Sequence, residues 1–140
     1  MKILFLGLGS IGQRHAKNIR KLYGNSVELI CFRQRNDNHT IINNSTTTPI
    51  PPTQTYNISA FDSLEDAFNQ KPDVVFITNP SSMHLDSIFT ALKYGCHIFV
   101  EKPLSTDISR IQSLLNLVNK KPFIGFVGYQ LRFHPAYLRL

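Results

Sequence analysis

Residues 1–12 read Met-Lys-Ile-Leu-Phe-Leu-Gly-Leu-Gly-Ser-Ile-Gly, and the reading of this stretch decides the fold. Residues 2–6 are a short continuous apolar run, as a strand buried on both faces requires. A helix over 10–23 is predicted next, with Ile19, Leu22 and Tyr23 at i, i+3, i+4 and Gly24 placed to end it. The connecting Gly7-Leu8-Gly9-Ser10-Ile11-Gly12 fits G-x-G-x-x-G. Between a strand and a helix the glycines take separate roles: Gly7 permits the tight turn, Gly9 lets a phosphate approach backbone N–H groups that a Cβ would shield, and Gly12 lets helix and strand pack closely. The unpaired amides and dipole at the helix start, from Ser10 and Ile11 onward, would then hold the pyrophosphate of a dinucleotide. A glycine-rich turn without a ligand is the plainer alternative.

Working outward, strand and helix periods alternate. Strands are expected over 27–32, 58–61, 73–78, 97–100 and 123–127, with helices starting at Ser63 and spanning 82–94 and 106–120. Six strands separated by helices or a loop imply a doubly wound α/β fold: a Rossmann-type parallel sheet covered on both faces, in strand order 3-2-1-4-5-6. Residues 36–55 break the pattern. Fourteen of these twenty residues are Asn, Ser, Thr or Pro, and only three are aliphatic, so a mobile loop is expected there. The organisation expected is a dinucleotide-binding domain over 1–128 containing that loop, with 129–140 beginning a connection onward.

Composition narrows the class. The chain has 140 residues, 42% hydrophobic and 17% charged, which suits one domain able to bury a core without disulfides or a structural metal. Its two cysteines, Cys31 and Cys96, lie in apolar runs and read as free thiols of a reduced, cytoplasmic chain. In the strand order above, two strands separate them, roughly 14 Å at ~4.8 Å per strand, whereas a disulfide needs Cα atoms within ~7 Å. No metal site is expected. Apolar runs fall far short of the ~20 residues of a membrane span, and the glycines and Gln13-Arg14-His15 argue against an export leader. The net charge of +6 is spread without a basic and aromatic repeat, so a phosphate-bearing small ligand is favoured over nucleic acid.

The end of the second strand bears on the choice of cofactor. NAD-binding units place Asp or Glu there for the adenosine ribose, whereas Arg accommodates a 2′-phosphate. This chain reads Phe32-Arg33-Gln34-Arg35, without a carboxylate. Guanidinium groups bind phosphate bidentately, so Arg33, Gln34 and Arg35 favour NADP, with NAD possible. Ordinary solvated arginines, with Asp37 serving the ribose, are the alternative.

Further motifs carry a family resemblance. GLGSIGQRHAKNI with His15 three residues past the last glycine, ITNPSSMH at 77–84, GCHIFVEKP at 95–103 and GYQLRFHP at 128–135 resemble the N-terminal domain of the Gfo/Idh/MocA oxidoreductases. The resemblance covers the chain apart from the 36–55 stretch, and Glu101-Lys102-Pro103 is its most specific element. It implies hydride transfer between NAD(P) and a hydroxyl carbon of a sugar, sugar nucleotide or polyol. Lys102 would contact the reacting hydroxyl, Glu101 would lie beside the nicotinamide ribose, and Pro103 would follow a cis peptide. Thr78, Asn79, Pro80 and His84 would line the cofactor groove, and Gln130 and Arg132 would lie near nicotinamide and substrate. His15 itself reads as a structural helix histidine.

The family's remaining catalytic groups lie in a second domain, which this sequence does not include. The chain is therefore expected to be inactive alone, and to meet its sugar or polyol only with that domain. Phe133, Tyr137, Leu138 and Leu140 form a candidate apolar patch, so a homo-oligomer is possible. A self-standing dinucleotide-binding or interaction module without catalysis is the alternative function.

Overall fold

A computed structural model describes residues 1–33, 39–43, 46–119 and 122–137. Strands β1 (Lys2–Leu6), β2 (Glu28–Phe32), β5 (Ile58–Phe61), β6 (Val74–Ile77), β7 (His97–Val100) and β8 (Gly125–Val127) form one sheet in the order β5-β2-β1-β6-β7-β8. All its pairings are parallel. This is the expected doubly wound order, in which the chain leaves β1 toward β2 and later returns to the other side at β6.

The pleat of β1 shows why the sheet is buried twice. Leu4 and Leu6 enter one core with α3 (Leu64–Asn69), α4 (His84–Lys93) and α5 (Ile111–Val118), while Ile3 and Phe5 enter the other with α1 (Ser10–Tyr23) and Ile58. In β1, Leu4 and Phe5 are both fully buried, each worth about 1.5–3 kcal/mol of transfer free energy. Phe5, Phe76, Phe99 and Phe126 are cross-strand neighbours, and their rings form a row over four strands.

Three local expectations change. Burial on α1 runs through Gly12, Gln13, Ala16 and Ile19 and stops there, leaving Leu22 and Tyr23 exposed. The last turn is held by hydrogen bonds instead: the Arg20 guanidinium donates to the carbonyls of Gly24, Val27, Tyr56 and Asn57 at 2.7–2.8 Å. The helix expected over 106–120 begins only at Ile111. Asp107 N–H donates to Ser105 Oγ, and Ser109 donates to the Asp107 carboxylate through both its backbone N–H and its hydroxyl. Such bonds compete with a helical start, leave Ile108 exposed, and hold the Asp107 carboxyl below its ordinary value.

The third change falls within 36–55, where the described residues 39–43 and 46–55 include regular structure and only a loop is expected. Strands β3 (Thr40–Asn43) and β4 (Thr46–Thr48) pair antiparallel, and a helical turn α2 (Pro52–Thr55) follows. The buried Gln13 anchors them, accepting from Ile41 N–H at 2.8 Å while its Nε2 donates to Leu8 O at 3.2 Å. Thr40 Oγ1 lies 2.7 Å from Ile50 O and 2.8 Å from Thr55 Oγ1. Two side chains on α1 and β3 thus do what apolar packing of a crossover helix would otherwise do.

Cys31 on β2 and Cys96 beside β7 are free and buried, with β1 and β6 between their strands. Burial pushes both thiols up to about 11; the Asp73 charge adds to this at Cys96, and Arg33 opposes it at Cys31. Because unfolded thiols ionise near ~8.5, this contribution to stability is fully present below that pH and is lost as pH rises toward 11. At pH 8 the native chain is expected to resist iodoacetamide while the urea-unfolded chain takes two labels. Rapid labelling of the native chain would contradict the burial.

Candidate functional site

The C-terminal ends of β1 and β6 lie side by side where the sheet order reverses, which is where an open α/β sheet leaves a crevice. Gly7 sits there with φ 97°, and a Cβ on it would lie 2.9 Å from the backbone of Asn79. A Cβ on Gly12 would lie 2.6 Å from the Gly7 carbonyl and 3.0 Å from Thr78 Oγ1. Gly9 is different. A Cβ there would meet nothing within 4 Å, so space is left open over the helix start. Gly9 caps α1 in extended conformation, and the first bond at that end runs from Gln13 N–H to Gly9 O at 2.9 Å. Helix geometry leaves the Ser10 and Ile11 amides, which follow Gly9 directly, without intrahelical acceptors.

A cleft of about 610 Å³ opens from this turn. Gly7, Gly9, Arg33, Asn79 and Pro80 line it, as the sequence suggested, together with Phe32, Leu64, Met83, Asp86, Ser87 and Thr90, which sequence reasoning missed. The signal for the last three was three polar residues spaced along the apolar pattern of α4. Asn79 donates through Nδ2 to Ser87 Oγ at 2.8 Å, and its buried Oδ1 has no partner among the described residues. The Asn79 side chain is thus tied to α4 at the cleft wall through its amide nitrogen, while its oxygen is buried beneath the surface. Gln34, Arg35 and Asp37 lie outside the described residues.

Two expected groove residues turn out to brace it. Thr78 is buried, and its hydroxyl donates to the Gly7 carbonyl at 2.6 Å, fixing the turn. His84 is 2% exposed, with Nδ1 2.7 Å from Pro103 O and Nε2 3.0 Å from Asn79 O. Both partners are carbonyls, so the neutral ring donates to one of them and the protonated ring to both. His84 ties the loop after β7 to the loop after β6.

Glu101, Lys102 and Pro103 follow β7 directly, with a cis Lys102–Pro103 bond. Lys102 is exposed, and its N–H donates to Glu101 Oε2 at 3.2 Å. Glu101 is otherwise enclosed: Oε1 lies 2.7 Å from His15 Nε2. Gln130 and Arg132 lie on the exposed turn Gln130–Phe133 after β8, with the Arg132 guanidinium 5.5 Å over the Phe126 ring. The structure thus gathers Gly7, Gly9, Arg33, Asn79 and Pro80 in one cleft and sets Glu101 to Pro103 at a neighbouring strand end, with Gln130 and Arg132 beyond. Among the described residues, no three His, Cys, Asp or Glu are grouped as a metal site requires, and no helix is long and apolar enough to cross a membrane.

A parallel sheet with this crossing, a glycine turn open at its second glycine and a cleft beside it define a dinucleotide-binding Rossmann domain. Residues 1–129 match the model of the oxidoreductase family with an NAD-binding Rossmann fold, Gfo/Idh/MocA. The chain belongs to that family and is its NAD-binding domain. It is 40% identical over 65 residues to scyllo-inositol 2-dehydrogenase (NAD(+)) of Bacillus subtilis, covering 46% of this chain and 19% of that protein. UDP-N-acetylglucosamine 3-dehydrogenase of Acidithiobacillus ferrooxidans shares the fold at TM-score 0.78 and 20% identity, over 99% of this chain and 42% of that one. The WlbA dehydrogenase of Chromobacterium violaceum, solved with NADH and UDP-GlcNAcA, has TM-score 0.77 and 19% identity over 99% and 38% of the two chains. The chain spans less than half the length of these relatives.

Proposed function

We propose that this chain is the cofactor-holding part of an oxidoreductase acting on a hydroxyl carbon of a sugar, sugar nucleotide or polyol. The observation that carries the reading is the turn itself: Gly7 and Gly12 are closed against backbone, while Gly9 alone among them faces open space at a helix start. The Ser10 and Ile11 amides would receive the pyrophosphate and Arg33 the adenosine end. When bound, the nicotinamide supplies hydride acceptance and donation. The chain's own part is to orient it, with Glu101 accepting hydroxyl hydrogen bonds and Lys102 holding or passing the proton of the substrate hydroxyl. Relatives whose names specify an inositol or a UDP-sugar support that substrate class.

With arginine and no carboxylate at the end of β2, the bound form is NADP in preference to NAD. The sequence lacks Trp, so reduced-nicotinamide fluorescence is read without a tryptophan background. Titration is expected to give saturable binding of both, with NADPH at least about tenfold tighter and the difference abolished in the Arg33→Ala, Arg35→Ala double variant, since a charge-assisted bond is worth about 1.5–3 kcal/mol. Equal affinity, or tighter NADH, would overturn the NADP assignment. No saturable binding of either would overturn the cofactor role.

A further inference from the structure

His15 lies one turn into α1, past the amides that follow Gly9, and reaches across to the end of β7. Its Nε2 is 2.7 Å from Glu101 Oε1, with both side chains mostly enclosed, at 20% and 14% exposure. The ring is wedged edge-on against Phe99 at 4.8 Å and Phe76 at 5.6 Å, which fixes the direction of that nitrogen. Gly128 closes the other side of the carboxylate: a Cβ there would lie 3.3 Å from Glu101 Oε1 and 3.2 Å from the Phe99 ring. Packing alone does not require a carboxylate at this place. An enclosed acceptor held by an imidazole set edge-on against two phenylalanines, at a strand end on the far side of the reversal from Arg33, lies where the second nucleoside of a dinucleotide crosses the sheet.

We infer that His15 is a positioning residue, which sets the Glu101 carboxylate to receive the ribose of the second nucleoside. Helix α1 then grips a dinucleotide twice, the pyrophosphate through its first amides and the distal ribose through His15 and Glu101. This inference rests on the cofactor role proposed above and assigns part of that site. It also gives His15 a task that a helix histidine read from sequence alone does not suggest.

Two ligands and two substitutions separate this from a structural role. ADP carries the adenosine and pyrophosphate only, and ADP-ribose adds the second ribose. His15→Phe keeps a ring against Phe99 and Phe76 but removes the hydrogen bond, whereas His15→Gln keeps a donor and loses the ring. By calorimetry, His15→Phe is expected to weaken ADP-ribose about tenfold while leaving ADP within about twofold, and His15→Gln to recover most of the loss, as one hydrogen bond to a charged group requires. Gly128→Ala, which crowds the same carboxylate, is expected to show the same split.

If wild-type chain binds both ligands and His15→Phe weakens them equally, or weakens neither, the positioning role is overturned while the cofactor role stands. Better binding by His15→Phe than by His15→Gln has the same consequence, because the ring would then matter and the donor would not. Failure of the wild-type chain to bind either ligand overturns both readings. A ligand-free check is available in the chain itself: an exchange-protected Nε2–H of His15 in nitrogen-15 imidazole spectra is expected and is lost in Glu101→Ala, and its absence from the wild type would count against the geometry.

Discussion

Gly9→Val is expected to remove dinucleotide binding while leaving the fold intact. The built Cβ meets no protein atom within 4 Å, and Gly9 has φ −70° and ψ −165°, which any residue adopts. The fold therefore loses only helix-cap quality, about 1 kcal/mol or less. The same volume would cover the Ser10 and Ile11 amides. Losing two hydrogen bonds to a charged pyrophosphate costs about 3–6 kcal/mol, so affinity should fall by ~100-fold or more. Urea unfolding and NADPH titration of one preparation check this. Undiminished affinity would place the ligand elsewhere, and a large loss of stability would mean the space over Gly9 is not open. Gly12→Ala is the contrasting case, because its Cβ would strike the Gly7 carbonyl whether or not a ligand is bound.

His84→Ala is expected to cost about 2–4 kcal/mol of stability, because it creates a void in a buried place and removes the ring N–H that one of two facing carbonyls accepts. Those carbonyls belong to Asn79 and Pro103, so the loss falls on the loops carrying the cleft and Lys102. Urea midpoints at pH 7 measure it. A change below about 0.5 kcal/mol would show that the ring bears none of the load the geometry gives it.

The strands and the glycine turn were legible because their signals are local. A run such as residues 2–6 states its burial in its own composition, and G-x-G-x-x-G states its setting through its neighbours. Residues 36–55 were not legible, since what orders β3, β4 and α2 is a distant Gln13 and a pair of threonines, and composition carries no record of such partners. Helix α5 was read five residues too early because apolar spacing continues through Ile108 while Ser105, Asp107 and Ser109 spend the backbone donors on a turn. At the site, Gly9 and Arg33 followed from motif logic. The bracing roles of Thr78 and His84, and the reach of His15 to Glu101 across 86 positions, depend on which strand ends the topology brings together.

In the proposed site a dinucleotide lies across the ends of β1 and β6 with its pyrophosphate on Gly9. Backbone amide spectra of nitrogen-15-labelled chain, recorded through a titration with NADPH, test it most directly. Saturable shifts are expected at Gly7 to Gly12, Arg33, Asn79 and Glu101 to Lys102, with little change at the separate apolar hollow of about 290 Å³ formed by Phe89, Leu92, Cys96, Leu117 and Phe123. Shifts confined to that hollow, or none at the glycine turn, would contradict it.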